Sequence, residues 1–172
     1  MVREESHRAF RAQLVVDEHR QLFDYWVERS RGRAMPERRD INPAHFPKLL
    51  PSISLIDIES DSRYRVRLAG SALREIYDRE ITGLYIDDID FGRAKDYWAA
   101  SYARVARTGR PAQGVIRSPR ATKEHLVQFW LKLPLAADGS TTPGMILCLD
   151  SCVPATSVGT PVSSEVLAAI AG

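Results

Sequence analysis

From Pro51 to Gly70 the chain reads PSISLIDIESDSRYRVRLAG. Its first run, Ser52 to Glu59, is rich in Ile and Leu, and its second, Arg63 to Ala69, alternates arginine with Tyr64, Val66 and Leu68. Between them Ser60-Asp61-Ser62 supplies turn chemistry, so the stretch reads as a β-hairpin. A period of two puts Tyr64, Val66 and Leu68 on one face and Arg63, Arg65 and Arg67 on the other. That division suits an antiparallel sheet with one dry side.

The rest of the composition bounds what can surround such a hairpin. A chain of 172 residues fits one domain plus extensions. With 44% hydrophobic and 27% charged residues it is an ordinary globular chain able to bury a core. No apolar run approaches the ~20 residues of a membrane helix, and MVREESHRAF lacks the apolar centre of a secretion signal, so the expected compartment is the cytoplasm. A net charge of +2 is too small to imply a polyanionic partner by itself. Cys148 and Cys152 have no second Cys or His pair near them in sequence, which is not a zinc pattern, and both read as buried thiols.

Outward toward the N-terminus, Phe10, Leu14, Leu22 and Trp26, widened by Val15, Phe23 and Val27, predict an amphipathic helix from Ser6 to Arg31, stopped by Gly32. The next stretch carries Pro36, Pro43, Pro47 and Pro51 and is expected to be an ordered connector, with Asp40 capping a turn near Pro43. Toward the C-terminus, Ser71 is expected to cap a short helix, Ala72 to Tyr77. Asp90 is expected to cap a longer one, Phe91 to Arg107, ended by Thr108-Gly109. Three further strands are expected at Ala112 to Ser118, His125 to Leu135 and Pro143 to Asp150. In the middle one Val127, Phe129, Leu131 and Leu133 share a face, with Gln128, Trp130 and Lys132 opposite. Trp130 on a mostly polar side needs a cover, and the N-terminal helix is the expected one.

This is an α+β order: two strands, short helices, a longer helix and three strands. It resembles a PAS domain. The residues that carry a sharper resemblance are Tyr25-Trp26, Gly32-Arg33, Met35-Pro36, Arg38, Asp40-Ile41, Pro43, Leu50-Pro51, Leu55-Ile56-Asp57, Tyr64-Arg65, Arg67-Leu68, Gly70 and Thr82-Gly83. Together they are similar to the signature of a bacterial subfamily of small stand-alone PAS proteins. The resemblance implies a five-stranded antiparallel sheet of spatial order 2-1-5-4-3, with helices on one face over a pocket and the amphipathic helix outside it. It implies regulatory or sensory work and no settled reaction, ligand or catalytic residue. The expected division is residues 1–32 for the N-terminal helix, 33–50 for the connector, 51–152 for the core and 153–172 for a flexible tail.

On that fold Tyr64, Val66, Leu68, Val127, Phe129 and Leu131 from the sheet, with Leu73, Ile76 and Tyr77 from the short helices, would enclose the pocket. A haem would need an axial ligand such as histidine in the helical run, and a covalent flavin a cysteine there; the sequence offers neither, so both are disfavoured and the cofactor stays unknown. His7, His19, His45 and His125 share no metal-ligand spacing, and nucleophile-elbow, phosphate-loop and dinucleotide motifs are absent. No enzyme is expected. Asp87, Asp88 and Asp90 lack EF-hand spacing and read as helix-start residues. Arg29, Arg31, Arg33, Arg38 and Arg39 raise nucleic-acid binding as a weaker alternative, but Glu28, Glu37, Asp40 and Asp57 offer them carboxylates, and a tethering role is preferred.

The sequence therefore points to a cytoplasmic regulatory domain that binds a small organic ligand, a regulatory protein partner or both. The rival is a ligand-free constitutive adaptor or dimerisation module. A homodimer is expected through Leu14, Leu22, Trp26 and the sheet face near Trp130.

Overall fold

Residues 1–60, 62–118 and 121–157 are described by the structure, a computed structural model. The expected N-terminal helix is two helices, α1 (Val2–Gln13) and α2 (Asp17–Ser30). Leu14 and Val16 at the joint are extended, at φ −74°, ψ 120° and φ −95°, ψ 127°. Paired β-branched valines at 15 and 16 resist helical side-chain rotamers, so the helix breaks there. The break folds α1 back on α2, where the Phe10 and Phe23 rings lie 4.9 Å apart and Arg11 Nε donates to Asp24 at 2.7 Å. α2 ends with Arg31 and Gly32 in left-handed conformation, as the glycine stop requires.

The connector forms three 3₁₀ turns, Arg38–Asp40, Pro43–His45 and Pro47–Ser52. Asn42, not Asp40, caps the turn at Pro43, its side chain accepting from the Ala44 N–H. Asp40 instead accepts from the Glu37 N–H at 2.9 Å and from Arg33 at 2.6 Å, closing a capping box one turn earlier.

The sheet is antiparallel and five-stranded: β1 (Ile53–Ile58), β2 (Tyr64–Ala69), β3 (Ala112–Arg117), β4 (Leu126–Ala136) and β5 (Pro143–Pro154), in the order β2-β1-β5-β4-β3. α3 (Ser71–Tyr77) and α4 (Lys95–Thr108) lie between β2 and β3 in sequence. Gly70, not Ser71, stands at the N-cap of α3, and the connector packs against it so closely that a Cβ there would meet the Leu50 carbonyl oxygen at 2.2 Å. Asp90 does not cap α4, whose N-cap is Ala94; it accepts from the Gly92 N–H at 2.9 Å just before a 3₁₀ turn, Gly92–Ala94, whose N-cap is Phe91. β5 runs four residues past its expected end, so the expected tail begins inside the sheet, and residues 158–172 lie outside the described residues.

Two hydrophobic cores lie on opposite faces of this sheet. On the outer face Leu22, Phe23 and Trp26 of α2 cover Leu131, Leu133 and Leu135 of β4 and Met145 and Leu147 of β5. Trp26 Nε1 donates to the Pro134 carbonyl at 2.8 Å, which pins the helix to the strand. On the inner face α3 and α4 cover Ile56, Val66, Trp130, Ile146 and Cys148. No described helix is long and apolar enough to cross a membrane.

The hairpin departs from its expected alternation at one point. Leu55 pairs with Leu68 but Ile56 pairs with Val66, which leaves Arg67 as a bulge in β2. One extra residue reverses every side chain beyond it. Val66 stays on the inner face, fully buried, while Leu68 turns outward and is 46% exposed.

Candidate functional site: the chamber between sheet and helices

Strand alternation aims Gln128, Trp130 and Lys132 of β4 and Cys148 and Asp150 of β5 into the space under α3 and α4. This reverses the expected facing of β4: Leu131 lies in the outer core, and Val127 and Phe129 share its parity, so none of the three lines the chamber. The physical reason is that both faces of this strand are covered. The aliphatic side takes the N-terminal helices, and the mixed side takes the aromatic residues of α4. Tyr64, Val66, Leu73, Ile76 and Tyr77 lie on the chamber side, and Leu68 does not. Leu14, Leu22 and Trp26 are spent inside the protein's own outer core, and Trp130 is on the other face of the sheet, so these four do not form one accessible surface.

At the centre sits Lys132, 1% exposed. Its Nζ lies 4.1 Å from the ring centre of Trp130 and 4.4 Å from those of Trp98 and Tyr102. Three electron-rich faces thus take the place of water around the ammonium. Trp130 is held in turn by its Nε1 donating to the Tyr97 hydroxyl at 2.8 Å. Gly114 opposite it on β3 makes room, since a Cβ there would come within 2.6 Å of the indole.

Beside the lysine, Asp150 is 5% exposed and accepts from Gln128 Nε2 at 2.8 Å; the same amide donates to the Tyr77 hydroxyl at 3.3 Å. Burial pushes the Asp150 carboxyl up from its ordinary value, opposed by Lys132 and the Gln128 hydrogen bond. Burial pulls the Lys132 ammonium down, opposed by Cys148 and Asp150. Both groups are therefore displaced toward their neutral forms while each favours the other's charge. The Cys148 and Cys152 thiols are pushed up to about 12 by burial, which keeps them protonated and poorly nucleophilic at neutral pH.

Two small cavities remain within this packing. One, of ≈ 20 Å³, touches Tyr77, Phe91, Trp98, Gln128 and Cys152. The other, of ≈ 10 Å³, touches Ser54, Val66, Tyr77, Tyr102 and Asp150. Each has room for about one water. Lys123 closes the near end of the first, with its Nζ on Asp78 at 2.6 Å and on the Glu75 carbonyl at the end of α3.

The histidines stand elsewhere. His7 packs on Phe23 and Trp26, His19 reaches Ser151 on the outer side, His45 meets the Tyr25 ring edge-on, and His125 precedes β4. Among the described residues no three His, Cys, Asp or Glu side chains group as a metal site. In the connector Arg33 pairs with Asp40 at 2.6 Å, Arg39 with Glu37 at 2.7 Å and Arg29 with Glu28 at 3.5 Å, while Asp57 is taken by Arg67 at 2.9 Å and not by the connector.

Sequence reasoning missed Lys132, Asp150, Gln128, Trp98 and Tyr102 as chamber residues. The available signal was a lysine and a carboxylate inside strands otherwise built for burial, where charge is rare without a specific role.

The strand order, the helices over one face and the chamber beneath them define a PAS-type fold. A model of the PAS domain family matches residues 15–149, and the chain belongs to that family. Solved structures similar to the chain include the Rhodobacter sphaeroides LOV protein, with 19% identity, a TM-score of 0.47 and 75% of each chain covered. Another is RsLOV D109G, with 20% identity and a TM-score of 0.47 over 73% of this chain and 70% of that one. A third is the LOV domain from the Erythrobacter litoralis EL346 blue-light activated histidine kinase, with 14% identity and a TM-score of 0.46 over 60% of this chain and 95% of that one. No curated protein matches the chain.

Proposed function

We propose that this PAS-family protein is a non-catalytic sensory module of the cytoplasm that senses through the Lys132–Asp150 chamber and delivers its signal by changing contacts with a regulatory protein. The observation that supports this reading is a lysine, a carboxylate and an amide buried together where apolar residues of similar volume would give equal or greater stability. Burial draws Lys132 and Asp150 toward their neutral forms while each favours the other's charge, so the charge arrangement of the network responds to what lies beside it. A small organic molecule, or a displaced water, that favours one arrangement shifts the packing of α3 and α4 over the sheet. The pairing of connector arginines with Glu28, Glu37 and Asp40 supports tethering over nucleic-acid binding.

The small size of the two cavities favours a second reading, a constitutive adaptor whose chamber is filled by its own side chains. Native mass spectrometry of gently purified protein separates the two. A stoichiometric added mass that is lost in Lys132→Met and Asp150→Asn variants supports sensing. Bare protein mass, with both variants unchanged in their binding to a regulatory partner, establishes the adaptor. A double-mutant cycle on the same pair, read by denaturant unfolding, is expected to show a coupling of about 1–3 kcal/mol. Additive effects would mean that the two groups do not sense each other.

A further inference from the structure

The outer face of the sheet carries a second site, independent of the chamber. The layer formed by α2 covers β4 and β5 and stops short of β2, where the connector forms one wall of an apolar groove of ≈ 330 Å³. Ile53, Leu55 and Leu68 form its floor, Phe46 and Leu50 its wall, and Arg38 stands at its side. The volume falls in the range of small-molecule pockets.

Three observations say what the groove takes. The bulge at Arg67 turns Leu68 into it, 46% exposed, beside Leu50 at 36%; the other large apolar side chains exposed among the described residues are Met1, Val2 and Val15, far along the chain. Among the connector arginines, Arg29, Arg33 and Arg39 have carboxylate partners, whereas Arg38 makes no ion pair among the described residues. Its Nη1 donates to the Ile41 carbonyl at 3.1 Å, which fixes the guanidinium and leaves further N–H donors for a ligand. Finally, two exposed leucines offer far less than the roughly 800 Å² per partner of a stable protein interface. An aliphatic tail needs no more than that.

The geometry points to an aliphatic monocarboxylate as the occupant, its tail on Leu50, Leu55 and Leu68 and its carboxylate on Arg38. A guanidinium binds a carboxylate through paired, charge-assisted N–H bonds, and an apolar floor rejects shorter or more polar acids.

The test is isothermal titration of the full chain with decanoate, below its micellar concentration, together with decanol and butyrate. Decanoate is expected to bind one per chain, with decanol and butyrate each at least about tenfold weaker. Arg38→Gln should weaken decanoate about tenfold and leave decanol unchanged; Leu68→Gln, at an exposed position, should weaken both. Perturbed NMR signals are expected at Leu50 and Leu68 and not at Trp98 or Trp130. The inference is overturned if decanoate does not bind, if Arg38→Gln binds it as well as the wild type does, or if the perturbed signals lie in the chamber. It is also overturned if an acidic amphipathic peptide occupies the groove and decanoate does not displace it. A failure here leaves the chamber reading untouched, since the two sites are on opposite faces of the sheet.

Discussion

His19 shows how one buried side chain sets a pH limit. It is 3% exposed, its Nε2 lies 3.2 Å from Ser151 Oγ, and burial lowers its pKa from 6.5 to about 4. The folded protein therefore holds this imidazole neutral at pH values where the unfolded chain protonates it. The unfolded state binds the extra proton between pH 6.5 and about 4, so stability falls as pH falls through that window. The loss is of the order of 3 kcal/mol at the bottom of the window. Equilibrium unfolding at pH 7 and pH 4.5 is expected to show it, and His19→Gln should shrink the difference. An unchanged difference would place the acid sensitivity on other groups. Gly114 sets a steric limit of the same local kind. Gly114→Ala would drive a methyl into the Trp130 indole and is expected to cost about 1–3 kcal/mol in a denaturant melt.

At the scale of elements, the hairpin was legible as two strands and a turn, but its facing was not. A strict period of two places Val66 and Leu68 together, and the bulge at Arg67 separates them. The two positions should respond differently to truncation. Val66→Ala is expected to cost about 2 kcal/mol, because Val66 is fully buried under α3 and α4, and Leu68→Ala well under 1 kcal/mol. Equal costs in thermal unfolding would place both side chains in one core. A bulge leaves no mark in a pattern of alternating residues, since it adds a residue that is itself polar and exposed.

For the whole molecule, the N-terminal helices decide how the sheet is used. They were legible as an amphipathic segment, and their apolar face closes the protein's own outer core through Leu22, Phe23 and Trp26. Deleting residues 1–30 would bare Leu131, Leu133 and Leu135, and the truncated chain is expected to aggregate or lose its tertiary near-ultraviolet signal. A soluble truncated chain with native spectra and a smaller oligomeric state would show that the helices serve an interface instead. By itself the sequence determined the α+β strand and helix order, because turn residues and hydrophobic periods are local and additive, while the PAS class came from the resemblance of particular residues and not from those periods. Which face of β4 looks into the chamber was not determined locally, since Leu131 and Trp130 are both large apolar groups on opposite sides of one strand. Only the tertiary structure decided it: α2 and α4 compete for the two faces, and Trp26 bonds to Pro134 on one side while the aromatic rings of α4 gather around Lys132 on the other.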